Sequence, residues 1–458
     1  MQRYFGTDGI RGRAGEKLCP ELALRAAYGF ATQIAPKGRR GKRRNRARIA
    51  VGCDSRLSSP MLTSAVNAGL TLAGCDVLDL GLVPTPVVPL EVLRVAAAGG
   101  VMVTASHNPV PDNGIKLFGS TGAKVSATCE RAIERFIDEP GRRQAADVVH
   151  YGVVIPTDAT DSYLAFTRRA IPARSGQPRL RIVLDCAHGA TSFLARPAFE
   201  AAGHTVYTIN ADADGSRVNV RCGATDLSPV RRGVREHHAD LGLAFDGDGD
   251  RVKAVDEKGH EASGDKIIAL FATRLRRYRS QGAVVMTQMS NAGVEQALRE
   301  RGVRMVRTDV GDIHVLAAMR RRRLNLGGEQ SGHIIMRDKA PTGDGILAGL
   351  QLAQIMRTSG LPLSALLRGF NEYPQLLTNI SVVDKEAWRG DKELLADLAA
   401  IRKRYAGVRL YIRPSGTEDV MRVLAEAQDP VQCQQAHGAA CQAFQEWDRK
   451  AKCQHRNA

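Results

Sequence analysis

Three carboxylates at alternating positions, Asp246, Asp248 and Asp250, stand in the run Asp246-Gly247-Asp248-Gly249-Asp250-Arg251, directly after an apolar stretch ending at Phe245. Glycines between them free the backbone, so the side chains can converge on one hard cation; without one, like charges this close repel strongly. Oxygen donors suit Mg²⁺ or Mn²⁺ better than zinc. An EF-hand loop is the main competitor, because Glu257 falls twelfth from Asp246. That loop requires glycine in sixth place, where Arg251 stands, and a helix before it rather than a strand. Arg251 beside a metal is suited to bind phosphoryl oxygens in a bidentate manner. A solvated acidic turn is the bland alternative.

A second loop, Thr104-Ala105-Ser106-His107-Asn108-Pro109, follows the apolar stretch Gly100-Val101-Met102-Val103. In open α/β sheets, ligands bind where strands end. The expected turn Asp112-Asn113-Gly114-Ile115-Lys116 presents a lysine, and a serine nucleophile needs a partner to manage its proton or charge. This is not the Gly-x-Ser-x-Gly elbow of hydrolases, and a serine on a loop is often only a turn residue or cap. The third loop is Gly327-Gly328-Glu329-Gln330-Ser331-Gly332-His333. Its glycines admit a close ligand, Glu329 and Ser331 can bond sugar hydroxyls or an amine, and His333 can move a proton near neutral pH; taken alone, a surface turn is the better reading of this loop. The fourth is Arg413-Pro414-Ser415-Gly416-Thr417-Glu418, with Arg422 in the apolar run beyond it. Backbone N–H groups, two hydroxyls and two guanidiniums make a phosphate nest, whereas Ser415 with Glu418 also reads as a helix capping box.

The elements that must hold these loops recur as an apolar strand, a Gly/Pro/Asp-rich turn and a helical pattern. Ile49–Gly52, Leu180–Asp185, Leu241–Phe245 and Ala283–Met286 read as strands buried on both faces. Between them lie amphipathic helices, one expected over Met61–Ala73, another with Ile267, Phe271, Leu275 and Tyr278 on one stripe. Alternation of this kind predicts α/β domains with largely parallel sheets. The 458 residues divide into residues 1–145, 146–252 and 253–371, three similar α/β domains with mixed, largely parallel sheets, and residues 372–458, a smaller α+β domain. Asp138-Glu139-Pro140-Gly141-Arg142-Arg143 reads as a linker.

Hydrophobic residues at 43% and charged residues at 25% are an ordinary soluble balance. No stretch approaches a membrane span, and no apolar run follows the N-terminal charge, so a cytoplasmic location is expected. Nine scattered cysteines without a Cys-x-x-Cys pair argue against thiolate metal sites and a disulfide framework. The net charge of +17 is concentrated: 7 of the 10 residues from Arg39 to Arg48 are basic, and Arg320–Arg323 add four more. The first cluster has no aromatic residue to stack on bases, so a solvated loop and a solvated helix end are expected rather than a nucleic-acid surface.

Together the four loops resemble the α-D-phosphohexomutase superfamily, most closely its phosphoglucosamine mutase branch. The resemblance runs from Tyr4-Phe5-Gly6-Thr7-Asp8-Gly9-Ile10-Arg11-Gly12 to the region of Arg422, and Gln330 stands where the bacterial mannose/glucose branch usually has Met. It implies a heart-shaped enzyme whose fourth domain resembles TATA-binding protein, each domain supplying one loop to a shared cleft. By the same resemblance Ser106 carries a phosphoryl group and, with Asp246, Asp248 and Asp250, holds one Mg²⁺. Glu329 and Ser331 select the sugar. Arg413, Ser415, Gly416, Thr417 and Arg422 grip the non-reacting phosphate. Arg11, Lys116 and Arg251 surround the transferred group, and Lys116 and His333 are the acid/base candidates. The implied reaction interconverts glucosamine 6-phosphate and glucosamine 1-phosphate through glucosamine 1,6-bisphosphate, feeding UDP-N-acetylglucosamine and cell-wall synthesis. The implied partner is a phosphosugar, with a homodimer compatible and no membrane or nucleic acid expected. Phosphoglucomutase or phosphomannomutase activity, or a binding role on a degenerate mutase scaffold, are the alternatives. Cys53, His188, Ile313 and Asp419 replace the family's usual Lys, Asn, Arg and Pro, and none of them removes a proposed catalytic group.

Overall fold

The computed structural model describes residues 3–6, 8–34, 46–139, 151–172, 176, 178–414 and 420–456. Most of the basic 39–48 run, the linker beyond Glu139 and residues 415–419 lie outside them. The chain forms two compact units, one of residues 1–287 and 308–368, the other of residues 288–307 and 369–458.

In the first unit, a seven-stranded sheet runs in the order Phe5–Gly6, Gly9–Arg13, Asp112–Gly119, Gly99–Val103, Arg48–Cys53, Asp76–Leu82, Val154–Pro156. Its first three junctions are antiparallel and the last three parallel. Val-, Ile- and Gly-rich central strands leave no polar face, so helices must cover both sides. Helices Pro20–Ile34 and Ser59–Leu72 supply Ala26, Phe30, Leu62 and Val66 to a core with Ile49, Val51, Val101 and Ile115. A second sheet runs Glu261–Ala262, Val252–Asp256, Leu241–Phe245, Arg181–Asp185, Thr205–Ile209. Leu241–Phe245 is parallel to Arg181–Asp185 and antiparallel to Val252–Asp256, with Phe245 opposite Val252. The triplet of aspartates is therefore the tip of a β-hairpin. Further on, Ala283–Thr287 pairs in parallel with Leu326–Gly328, which turns back antiparallel onto Ile334–Met336. The α/β architecture with mixed sheets expected from the strand–turn–helix pattern is present, parallel and antiparallel junctions occurring in similar number.

In the second unit, Val420–Glu426 lies between Gln375–Ser381 and Arg409–Pro414, all antiparallel. Helices Lys392–Arg404 and Pro430–Arg456 bury Leu394, Leu398 and Phe444 against Ile380 and Val423. This is the α+β part.

Several expectations are corrected. Asp112–Lys116 is not a turn: the turn closes earlier, where Asp112 donates its N–H to the Pro109 carbonyl, and Lys116 sits mid-strand. The stripe Ile267, Phe271, Leu275, Tyr278 does not lie on one helix. Helix Gly264–Arg274 ends at Leu275, whose backbone is extended (φ −89°, ψ 111°), and a short helix Arg276–Arg279 restarts. Ile267, Phe271 and Tyr278 are nevertheless buried, because the break keeps the apolar face turned inward. Val154–Pro156 completes the first sheet, and Val252–Asp256 and Glu261–Ala262 the second, so both sheets extend past the borders expected at 145 and 252. Arg320–Arg323 are exposed at the C-terminal end of helix Asp312–Arg322, where positive charge favours the helix dipole.

Helix Gly345–Ser359 carries a further consequence. Its N-cap Asp344 accepts from the Leu347 N–H at 2.9 Å and from the Tyr163 hydroxyl at 3.0 Å. Burial pushes the Asp344 carboxyl up to about 6 despite these donors. A raised folded-state value makes this group's contribution complete below its ordinary unfolded range near 4 and lost as pH rises through about 6. Asp344→Asn, which keeps an acceptor for Leu347, is expected to be the more stable protein above pH 6. The advantage should approach on the order of 3 kcal/mol and fade towards pH 4. Denaturant midpoints of both proteins from pH 4 to 7.5 test this; a difference independent of pH refutes it.

Candidate active site

Strand Gly99–Val103 emerges at Thr104, and the chain then places Ser106 in the left-handed region at φ +54°. Such a conformation costs a non-glycine residue of order 1 kcal/mol or more and persists only where surrounding contacts dictate it. Here they do. Ser106 N–H donates to Thr104 Oγ1 at 2.8 Å, and the Ser106 carbonyl accepts from Asn219 Nδ2 at 2.9 Å and Arg56 Nη2 at 3.0 Å. Arg56 is the clamp of this loop. Its side chain is enclosed, pairs with Asp54 at 3.0 Å, and donates to the carbonyls of Asn108, Pro109 and Asp112 at 2.8, 2.6 and 2.8 Å.

The Ser106 hydroxyl is fully buried and donates to Asp246 Oδ2 at 2.6 Å. The two loops approach so closely that a Cβ at Gly247 would lie 2.7 Å from the Ser106 carbonyl oxygen. Gly249, at φ +69°, completes the tight hairpin tip. Asp246, Asp248 and Asp250 each offer a carboxylate oxygen, the three within 4.8 Å of one another. Burial first, then the charges of Asp248 and Asp250, push the Asp246 carboxyl up to about 8.

Lys116 projects from its strand into this cluster, donating to Asp248 Oδ2 at 2.7 Å and Asp250 Oδ2 at 2.8 Å and lying 3.4 Å from Asp8. Burial opposes its charge, but Asp248, Asp250 and Asp8 more than offset that and hold the ammonium well above the ordinary lysine range. Carboxylates this close favour the charged form of the lysine. Asp250 is correspondingly held well below the usual carboxylate range: burial alone would raise it, and Lys116 and His333 lower it. The remaining oxygens, Asp248 Oδ1 and Asp250 Oδ1, are buried without a hydrogen-bond partner among the described residues. Two orphaned carboxylate oxygens beside a buried third carboxylate are what a hard divalent cation needs, so the residues present fit a metal. Glu257 is no ligand: it accepts from the Ser364 backbone N–H at 3.3 Å, away from the triplet.

Arg251 lies 4.0 Å from Asp246 and 3.8 Å from Asp250. Arg11 pairs with Asp8 and donates to Asn108 Oδ1 at 3.0 Å. His333 Nδ1 is 3.5 Å from Asp250 and Nε2 is 3.8 Å from Asp312. Burial alone would lower the imidazole; Asp250, Asp312 and Glu329 raise it to about 8. Glu329 and Ser331 occupy the hairpin turn before Ile334–Met336, their side chains 3.5 Å apart. The turn is seated by Val252 N–H donating to the Gly332 carbonyl at 3.0 Å. Ser106, Arg11, Lys116, Arg251, His333, Glu329, Ser331 and the aspartate triplet are thus brought together. In the second unit, Arg413 and Arg422 are paired directly across the antiparallel ladder, on the same face of the sheet; Ser415, Gly416 and Thr417 lie outside the described residues.

Sequence reasoning missed Arg56, Asn219, Thr85, Lys124 and Asp312. Thr85 donates to Asp248 Oδ2 at 2.6 Å. Only Arg56 had a usable signal, the Gly52-Cys53-Asp54-Ser55-Arg56 stretch directly after a strand.

Four family models match in chain order: phosphoglucomutase/phosphomannomutase alpha/beta/alpha domain I at residues 2–144, domain II at 161–259, domain III at 263–373, and the C-terminal domain at 377–437. The phosphoglucosamine mutase of Rhodococcus opacus (strain B4) is 44% identical over 94% of this chain and 96% of its own length. That of Rhodopseudomonas palustris (strain HaA2) is 42% identical over 94% and 95%. The chain belongs to the phosphoglucosamine mutase family. It is a phosphosugar mutase, an isomerase acting by phosphoryl transfer. Solved structures agree in fold. A phosphoglucomutase/phosphomannomutase family protein from Burkholderia thailandensis superposes with a TM-score of 0.80 at 25% identity, covering 96% of this chain and 97% of that one. The N-acetylphosphoglucosamine mutase of Aspergillus fumigatus, solved with GlcNAc-6P and magnesium, gives 0.68 at 18% identity over 98% and 96%. Among the described residues of this mutase, no helix is long and apolar enough to cross a membrane.

Proposed function

We propose that this enzyme interconverts glucosamine 6-phosphate and glucosamine 1-phosphate through a phosphorylated Ser106 and glucosamine 1,6-bisphosphate. The observation that carries the reading is the Ser106 hydroxyl donating to Asp246 at 2.6 Å, inside a cluster of three buried carboxylates. A serine oxygen in that position is within reach of any cation the triplet binds. The relatives' names support the sugar, and the GlcNAc-6P and magnesium complex of the fungal enzyme supports the class of substrate and cofactor.

Phosphorylation of Ser106 adds about −1.5 to −2 charges. Arg11, Lys116 and Arg251 offset them. Mg²⁺ held by Asp246, Asp248, Asp250 and the Ser106 oxygen would neutralise further charge on the phosphoryl oxygens. As sugar O1 bonds to phosphorus, the bond from Ser106 Oγ breaks. The O1 proton passes to a base, for which His333 in its neutral form, the minority form below about pH 8, is the candidate, and Oγ regains a proton when free. The bisphosphate then turns over and returns its 6-phosphoryl group to Ser106. Glu329 and Ser331 select the sugar, an amine at C2 matching the Glu329 carboxylate. Arg413, Ser415, Gly416, Thr417 and Arg422 grip the phosphate that is not reacting. Charged sugar phosphates do not cross a bilayer unaided, so a cytoplasmic location belongs to the same proposal.

Coupled assays on the 6-phosphates of glucosamine, glucose and mannose, with phosphorylated enzyme and Mg²⁺, decide the substrate. Glucosamine 6-phosphate is expected to lead in kcat/KM by roughly 10²-fold or more, since a site built around a polar partner penalises an analogue that leaves it unpaired. A dominant preference for glucose or mannose 6-phosphate overturns the assignment.

A further inference from the structure

Lys124 belongs to none of the four loops, yet its side chain is largely enclosed. Its side chain is only 13% exposed, and it pairs with two carboxylates remote in sequence: Asp8, and Asp312 at 2.7 Å. The backbone that presents it is pinned, with Gly119 N–H donating to the Ala123 carbonyl at 2.8 Å and Lys124 bridging back to Phe118. Burial opposes its charge, and Asp312 and Asp8 restore it.

Each partner leads to a different half of the site. Asp8 pairs with Arg11 and lies 3.4 Å from Lys116. Asp312 opens helix Asp312–Arg322 and stands 3.8 Å from His333 Nε2, while Gly311 before it donates its N–H to Glu329 Oε1 at 3.0 Å. Without the ammonium between them Asp8 and Asp312 would repel each other, Asp8 drawn to Arg11 and Lys116 and Asp312 left with His333. We propose that Lys124 is a positioning residue that clamps Asp8 to Asp312, and so sets the cations Arg11 and Lys116 and the sugar-facing pair Glu329 and His333 with a single charge. The proposal rests on the phosphoserine reading above.

Kinetics of Lys124→Met, Asp312→Asn and the double variant test it, with thermal melts alongside. Lys124→Met is expected to lower kcat by about 10²-fold and raise KM for the sugar phosphate by about tenfold, the scale of a misplaced reacting group. Asp312→Asn should act mainly on KM, and the double variant should be no worse than Lys124→Met alone, because the two act as one unit. Wild-type kcat and KM in Lys124→Met overturn the proposal, as do losses that multiply in the double variant or that only follow the unfolded fraction. If Lys124→Met does not fold, Lys124→Arg decides. Keeping the charge but not its point geometry, it should shift kcat or KM about three- to tenfold at an unchanged melting temperature; wild-type constants there, with Asp312→Asn also at wild-type KM, overturn the clamp. Retained turnover in Ser106→Ala would instead remove the phosphoserine reading and is read separately.

Discussion

Ser106→Ala is expected to abolish turnover, by on the order of 10⁴-fold or more in kcat, while leaving the protein folded. The size follows from losing the atom that carries the transferred group, for which no neighbouring side chain substitutes. The intact fold follows from how the loop is held. Arg56, Asn219 and Thr104 bind the Ser106 backbone, not its hydroxyl. Alanine therefore keeps the backbone contacts and loses only the hydroxyl's hydrogen bond to Asp246, worth about 1 kcal/mol, and its long contact with His107 Nδ1 at 3.4 Å. The expected pattern is a near-normal melting temperature, no phosphorylation at this position by intact mass, and no conversion in the coupled assay. Activity within tenfold of the parent protein would refute phosphoryl transfer through this residue.

Metal removal has the second largest expected effect. The triplet offers Asp248 Oδ1 and Asp250 Oδ1 without hydrogen-bond partners among the described residues, with His333 at 3.5 Å from the latter, whereas the Oδ2 atoms of both residues are taken by Lys116. A cation and Lys116 can thus be bound together, on different oxygens of the same carboxylates. Chelation is expected to reduce turnover by roughly 10³-fold, the scale of losing a main charge-stabilising group in phosphoryl transfer, with Mg²⁺ restoring it. A second readout does not depend on activity. Mg²⁺ at a hundredfold over its Kd should stabilise the protein by about 2.7 kcal/mol, and Asp248→Asn should lose most of that gain. Unimpaired turnover in chelator, or an equal Mg²⁺-induced melting shift in Asp248→Asn, would remove the metal from the site.

What was legible in the sequence is what short-range chemistry controls. Asp246, Asp248 and Asp250 announce a cation site because glycine spacing and like charge act within six residues, and strands such as Leu241–Phe245 announce themselves because a segment buried on both faces admits no polar side chain. Helix breaks are harder to see: Leu275 fits the apolar stripe by type, and only its extended backbone separates two helices. The tertiary structure alone decided who meets whom. Asp8 and Asp312 are joined by Lys124, Ser106 is held by Asn219, and Asp248 by Thr85. It also decided that Lys116 faces three carboxylates from other strands and loops, which hold its ammonium above the ordinary lysine range. The division has one physical reason: the sequence carries the donors and acceptors, but a charge acquires its strength, its partner and its role only when folding removes water and brings distant segments within about 3 Å.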